Sequence, residues 1–95
     1  MFVIALKFAG ARERAGEFME AHKDWIKKGF DDGVFLMVGN LQPGLGGALL
    51  AHGASREEVE KRVAEDPFVA EKIVTADILE ITPGRWDERL AFLAG

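Results

Sequence analysis

The chain has 95 residues, a net charge of −4 and no cysteine. These totals describe one small domain with neither a disulfide framework nor a cysteine-ligated metal site. They also lack the basic footprint of a nucleic-acid binder. No apolar run approaches the roughly 20 residues of a membrane span, and the lack of cysteine fits a reducing cytoplasm, the expected location.

Residues 2–8 alternate, with Phe2, Ile4, Leu6 and Phe8 on one face and Val3, Ala5 and Lys7 on the other. That is the period of a half-buried strand. The opening MFVIALKFAG carries no basic leader and is too short for a secretory signal, so it reads as this strand and not as a targeting peptide. A long helix is expected over residues 11–30. Its apolar stripe is Ala15, Phe18, Met19, Trp25, Ile26 and Phe30, with His22 among them, while Arg14, Glu17, Lys23 and Lys27 belong to the polar remainder. Asp31, Asp32 and Gly33 break the helix.

A second strand is expected over residues 34–39, apolar on both faces: Val34, Leu36 and Val38 one way, Phe35 and Met37 the other. Residues 40–47, NLQPGLGG, read as a loop. They match neither the P-loop nor the G-x-G-x-x-G pattern, so a plain connection is favoured over a phosphate cradle. Residues 48–52 form a third strand. Ser55 followed by Glu58 makes a capping box that opens a second helix with Val59 and Val63 on its apolar edge. At Asp66-Pro67-Phe68 a new helical turn starts, since Asp is a good N-cap and Pro suits the first helical position. Residues 75–81 are a fourth strand, and the tail beyond offers Trp86, Leu90, Phe92 and Leu93 for docking.

The element order is thus β-α-β-β-α-β. With right-handed crossovers this is an α+β, ferredoxin-like fold: a four-stranded antiparallel sheet with two helices on one face. The helices leave the other face open, yet the strands are apolar on both sides. Such a patch calls for a cover, and the short tail is too small to supply it. The expectation is a homodimer, sheet against sheet.

His22 and Asp66 are the pair with chemical potential. The first lies in an apolar helix stripe and the second caps a later turn, and in this fold the two helices lie side by side. A carboxylate that accepts a proton from one imidazole nitrogen fixes the tautomer and raises the basicity of the other. Each residue also has a structural reading: His22 as a buried hydrogen-bonded ring, Asp66 as a capping residue. A metal site from His22, His52 and Asp66 has no supporting ligand spacing, so neither metal nor organic cofactor is expected. Phe18 and Trp25, flanking His22 on the stripe, are candidate pocket walls, against a purely packing role.

Several of these residues carry a resemblance. His22 in the first helix, Gly39 closing the second strand, the Gly46-Gly47 pair and above all Glu65-Asp66-Pro67-Phe68-Val69-Ala70 occur in an order and spacing similar to the YCII-related (YciI-like) family. The resemblance covers nearly the whole chain as a single domain, residues 1–95. It implies a ferredoxin-like fold in a dimeric α/β-barrel association, similar in architecture to muconolactone isomerase and small cofactor-free monooxygenases. It also implies an active-site histidine–aspartate pair, which falls on His22 and Asp66, with Gly39 and Phe68 beside it as substrate-binding positions. One member of that family is a dehydrochlorinase of a chlorinated hydroxyhydroquinone. The chain departs from the pattern at Asn40, where many relatives have proline or alanine.

The expected function is therefore a cofactor-free lyase- or isomerase-type step on a small organic or aromatic molecule. The competing expectation is a non-catalytic dimeric module that binds a small ligand or uses the pair structurally.

Overall fold

The computed structural model describes residues 1–94. Strand β1 (Phe2–Phe8) leads through a 3-10 turn (Arg12–Arg14) into α1 (Ala15–Asp31); β2 (Phe35–Leu41) and β3 (Gly46–Ala51) follow as a hairpin. Then come α2 (Arg56–Ala64), the single turn α3 (Pro67–Ala70), β4 (Val74–Glu80) and a closing 3-10 segment (Glu88–Ala94). The sheet order is β2-β3-β1-β4, and every neighbouring pair is antiparallel. This is the ferredoxin-like architecture that the element order implies. No helix among the described residues is long and apolar enough to cross a membrane.

The core lies between sheet and helices. Phe2, Ile4 and Leu6 on β1 are buried, as are Leu49 and Ala51 opposite them on β3. Trp25 from α1, Val59 and Val63 from α2 and Phe68 from α3 close over them. The indole N–H of Trp25 donates to the Arg62 carbonyl at 2.9 Å, so the aromatic anchor of α1 also ties that helix to α2 without leaving a buried donor unpaired.

Three expectations are corrected in detail. The α-helix begins at Ala15, not at residue 11: the N-cap position falls on Arg14, whose side chain makes no capping bond, and the preceding turn tightens to 3-10 geometry. The glycine-rich stretch is mostly strand. Asn40 and Leu41 pair with Gly47 and Gly46, leaving only residues 42–45 as the turn. Gly46 has φ of +143°, and a Cβ there would sit 1.9 Å from the Leu6 carbonyl oxygen, so only glycine lets β3 approach β1 at this point.

The third correction concerns the faces of β2. Phe35 pairs with Ala51, but Met37 pairs with Leu50, so an irregularity falls at Leu36. The extra residue breaks the two-residue alternation. Phe35 and Val38 consequently share the helix-facing side with Ala51 and Leu49, while Met37 joins Leu50 on the open side.

The open side carries Val3, Ala5, Ala48 and Leu50 along the central strands, with Met37 and Leu79 exposed at 57% and 60%. The described part of the tail leaves Met37 and Leu79 uncovered. Phe92 meets the His52 ring edge-on at 5.4 Å beyond the end of β3, and Trp86, Leu90 and Phe92 all remain exposed.

Candidate active site

Ser55 and Asp66 position the second half of the site. Ser55 Oγ accepts from the Glu58 N–H and Glu58 Oε1 accepts from the Ser55 N–H, both at 3.2 Å, so α2 starts at a defined point. The hydrogen bond from the Ser55 backbone, then that with its side chain, hold the Glu58 carboxyl below its ordinary value. After the nine residues of α2 and its C-cap Glu65 the chain turns again at Asp66, with Pro67 in the first helical position of α3.

Asp66 is fully buried. Its Oδ1 accepts from the Phe68 N–H at 3.1 Å, capping α3, and lies 2.7 Å from His22 Nδ1 on α1. An ionised carboxylate can only accept, so in this contact Nδ1 is the donor and Nε2 is left as the acceptor nitrogen of the ring. The other carboxylate oxygen, Oδ2, is buried with no hydrogen-bond partner among the described residues. Leaving such an oxygen unpaired is costly, and among the described residues His22 is the one side chain that donates to this carboxylate.

Phe68 completes the arrangement. Its ring lies parallel to the His22 imidazole, 4.0 Å between centroids and 3° between planes. Asp66-Pro67-Phe68 thus acts as a unit: Asp66 binds the imidazole and the Phe68 N–H, Pro67 sets the backbone, and the Phe68 ring fixes the plane of the imidazole. Each contact restricts the ring in a different direction.

His22 opens onto a cavity of about 400 Å³. Met19, His22, Lys23 and Ile26 line it from α1, a run at i, i+3, i+4 and i+7 that marks one helix face. The sheet supplies the floor through Leu6, Val38, Gly39, Asn40, Gly46 and Gly47. Gly47 pairs with Leu6 on one side and Asn40 on the other, which places it on the helix-facing side of the sheet. A Cβ there would meet only the Gly39 carbonyl oxygen, at 3.4 Å. The cavity therefore exists in part because a central strand position lacks a side chain. Glycine weakens a strand interior and marks places where something approaches the backbone closely.

The structure brings His22, Asp66, Gly39 and Phe68 together at or behind this cavity. Phe18 and Trp25 are not in its lining. Trp25 turns toward α2 and lines a separate groove with Asp24 and Arg62, and Phe18 packs against the core beneath the Arg14 guanidinium. The face that contains Phe18, His22 and Trp25 differs from the face that lines the cavity by about one residue's rotation. Met19, Lys23, Ile26, Asn40 and Gly47 also line the cavity, though the sequence reading did not place them among the candidate site residues. The spacing around His22 held the signal for the first three, and the register of β2 against β3 was needed for the others. His52 stands apart against Phe92, and among the described residues no cluster of three metal-ligating side chains occurs.

Asp66→Ala removes the α3 cap and the partner of His22 together. We expect a loss of about 2–3 kcal/mol in urea unfolding, a cap plus an unsatisfied buried donor. Asp66→Asn keeps an acceptor for the Phe68 N–H and costs less. An Asp66→Ala protein as stable as the parent contradicts this arrangement.

No curated protein sequence matches the chain. Among solved structures it is similar to 5-chloro-2-hydroxyhydroquinone dehydrochlorinase from Burkholderia phenoliruptrix in complex with 2,5-dihydroxybenzoquinone. The TM-score is 0.73 at 18% identity, over 87% of this chain and 94% of that one, a likeness that establishes the shared fold. A family model for the YCII-related domain matches residues 1–82, which takes in all four strands, His22 and the Asp66-Pro67-Phe68 turn. The chain belongs to the YCII-related domain family.

Proposed function

We propose that the protein is an acid–base enzyme that acts on a small, flat organic molecule bound in the cavity beside His22. The observation that carries this reading is the Nδ1 contact to Asp66 at 2.7 Å in a histidine that also lines the cavity. Nε2 takes a proton from a carbon of the substrate. The electron pair left behind either expels a leaving group, a lyase step, or accepts the same proton back at another atom, an isomerase step. Asp66 holds the ring and stabilises the imidazolium that forms while keeping its own negative charge. Neither step calls for an oxidant or a reductant. The structural neighbour is named as a dehydrochlorinase, an activity that removes the elements of HCl, which fits a lyase reading.

His22→Asn separates the two duties of the ring, because its amide can still donate to Asp66 where Nδ1 did but offers no base at Nε2. With 5-chloro-2-hydroxyhydroquinone as first probe substrate, we expect kcat/KM to fall by about 10²- to 10⁴-fold, the usual contribution of a positioned acid–base group. Unchanged kcat/KM in a folded His22→Asn protein defeats the role.

A second reading has one observation in its favour. Asp66 is already accounted for as the cap of α3, so the pair can serve a non-catalytic module that binds a small ligand. A His22 ring that stays silent to pH and to every cavity ligand favours that module.

We also propose that two copies associate through the open sheet face, burying Val3, Leu50, Met37 and Leu79. A stable pair needs about 1,200–2,000 Å² in total, and this face is the broad apolar surface available for it. Sedimentation at micromolar concentration should show a dimer, and Met37→Glu with Leu79→Glu should give a monomer. A monomeric parent protein contradicts the association.

A further inference from the structure

The cavity is unusual in its charge. The chain carries 16 acidic residues against 12 basic ones, yet no aspartate or glutamate lines the cavity. Its polar side chains are His22, Lys23 and Asn40. The Asp66 carboxylate lies behind His22 and outside the lining, so the charged side chain that a ligand meets at the cavity surface is the Lys23 ammonium. Low-dielectric walls strengthen the field of such a charge within a cleft.

Lys23 is placed for this role. Of the lysines on α1, Lys27 is taken by Asp31 at 2.8 Å. Lys28 lines the other groove, with Asp24 and Asp32. Lys23 makes no ion pair or side-chain hydrogen bond among the described residues. It sits one position after His22, on the same cavity-lining run as Met19 and Ile26. A lysine in such a position lays its methylenes along the apolar wall and keeps its ammonium at the mouth. Across from it, Asn40 lies beside Gly47 in the β2–β3 ladder, on the helix-facing side. Its amide has two N–H donors and no hydrogen-bond partner among the described side-chain contacts.

We propose that the cavity selects a planar organic anion of about one ring in size. Lys23 and Asn40 hold its oxyanion at the mouth, and its ring lies over the side-chain-free floor at Gly47, within reach of His22. This rests on the acid–base reading of the same cavity and names the substrate class that the reading leaves open: a carboxylate or enolate joined to a flat, otherwise apolar body. The cation also suits the chemistry. Removing a proton from carbon pushes negative charge onto a conjugated oxygen, and an ammonium beside that oxygen favours the charged state.

The test compares benzoate with benzamide, which share a shape and differ in charge. Binding is followed by backbone amide shifts of the intact protein at neutral pH and millimolar ligand. We expect benzoate to shift the amides of Gly39, Gly47 and Val74 and to bind at least about fivefold more tightly than benzamide, the scale of a partly exposed ion pair. Lys23→Met should bring the two ligands level, and Lys23→Arg should restore the preference.

Equal binding of the two ligands to the parent overturns the anion claim while leaving the cavity and the acid–base role intact, since that role is judged by turnover in His22→Asn. A preference that survives Lys23→Met overturns the assignment to Lys23. No shift with either ligand, or shifts remote from the cavity, overturns the proposal outright.

Discussion

The site depends on one oxygen atom. Oδ1 of Asp66 accepts from the backbone of its own turn and from His22 on α1, 44 positions away in sequence. The carboxylate is fully buried and its second oxygen has no partner among the described residues. A buried carboxylate is expensive without compensation, so the chain has few ways to satisfy it other than bringing α1 and α3 together at this contact. The same bond that caps a short helix thereby docks two elements, fixes an imidazole tautomer and sets a phenyl ring against it. Folding and the proposed chemistry share the contact.

The cavity has a complementary origin. A bulge in β2 re-aims Val38 toward the helices, and Gly47 on a central strand withholds the side chain that would fill the space under α1. Met19 and Ile26 bridge over it and make its walls apolar. Weakness in the strand and room for a ligand are thus one feature seen from two sides. The result is a mostly apolar hollow with a histidine on its wall and a lysine at the same helix face. Such pockets orient ligands by a few placed polar groups.

Much of this was legible in the sequence. The alternation of residues 2–8, the Ser55–Glu58 box and the Asp66-Pro67 start are local signals, and each reports a local hydrogen bond or packing period that the structure contains. The element order was enough to imply the sheet topology, because crossover handedness leaves few alternatives. His22 and Asp66 could be paired on paper because the fold lays α1 beside the turn after α2. The walls of the cavity were harder. Phe18 and Trp25 lie on the same broad stripe as His22, and only the rotation of α1 on the sheet decides that Met19, Lys23 and Ile26 face the hollow while Trp25 faces α2. Residues 40–47 looked like a loop because glycine and proline are turn residues. Their pairing across β2 and β3 is a long-range property that composition does not carry, and the bulge at Leu36 is likewise invisible to a period of two.

In the proposed mechanism His22 presents Nε2 as a base because Asp66 holds the proton on Nδ1. The most direct measurement is a long-range proton–nitrogen correlation spectrum of protein labelled with nitrogen-15 in its two histidines, recorded where the rings are neutral, with His22→Asn to assign the signals. We expect His22 to carry its proton on Nδ1 and to have a bare Nε2. A His22 protonated at Nε2, or one divided between the two tautomers as a free imidazole is, contradicts it.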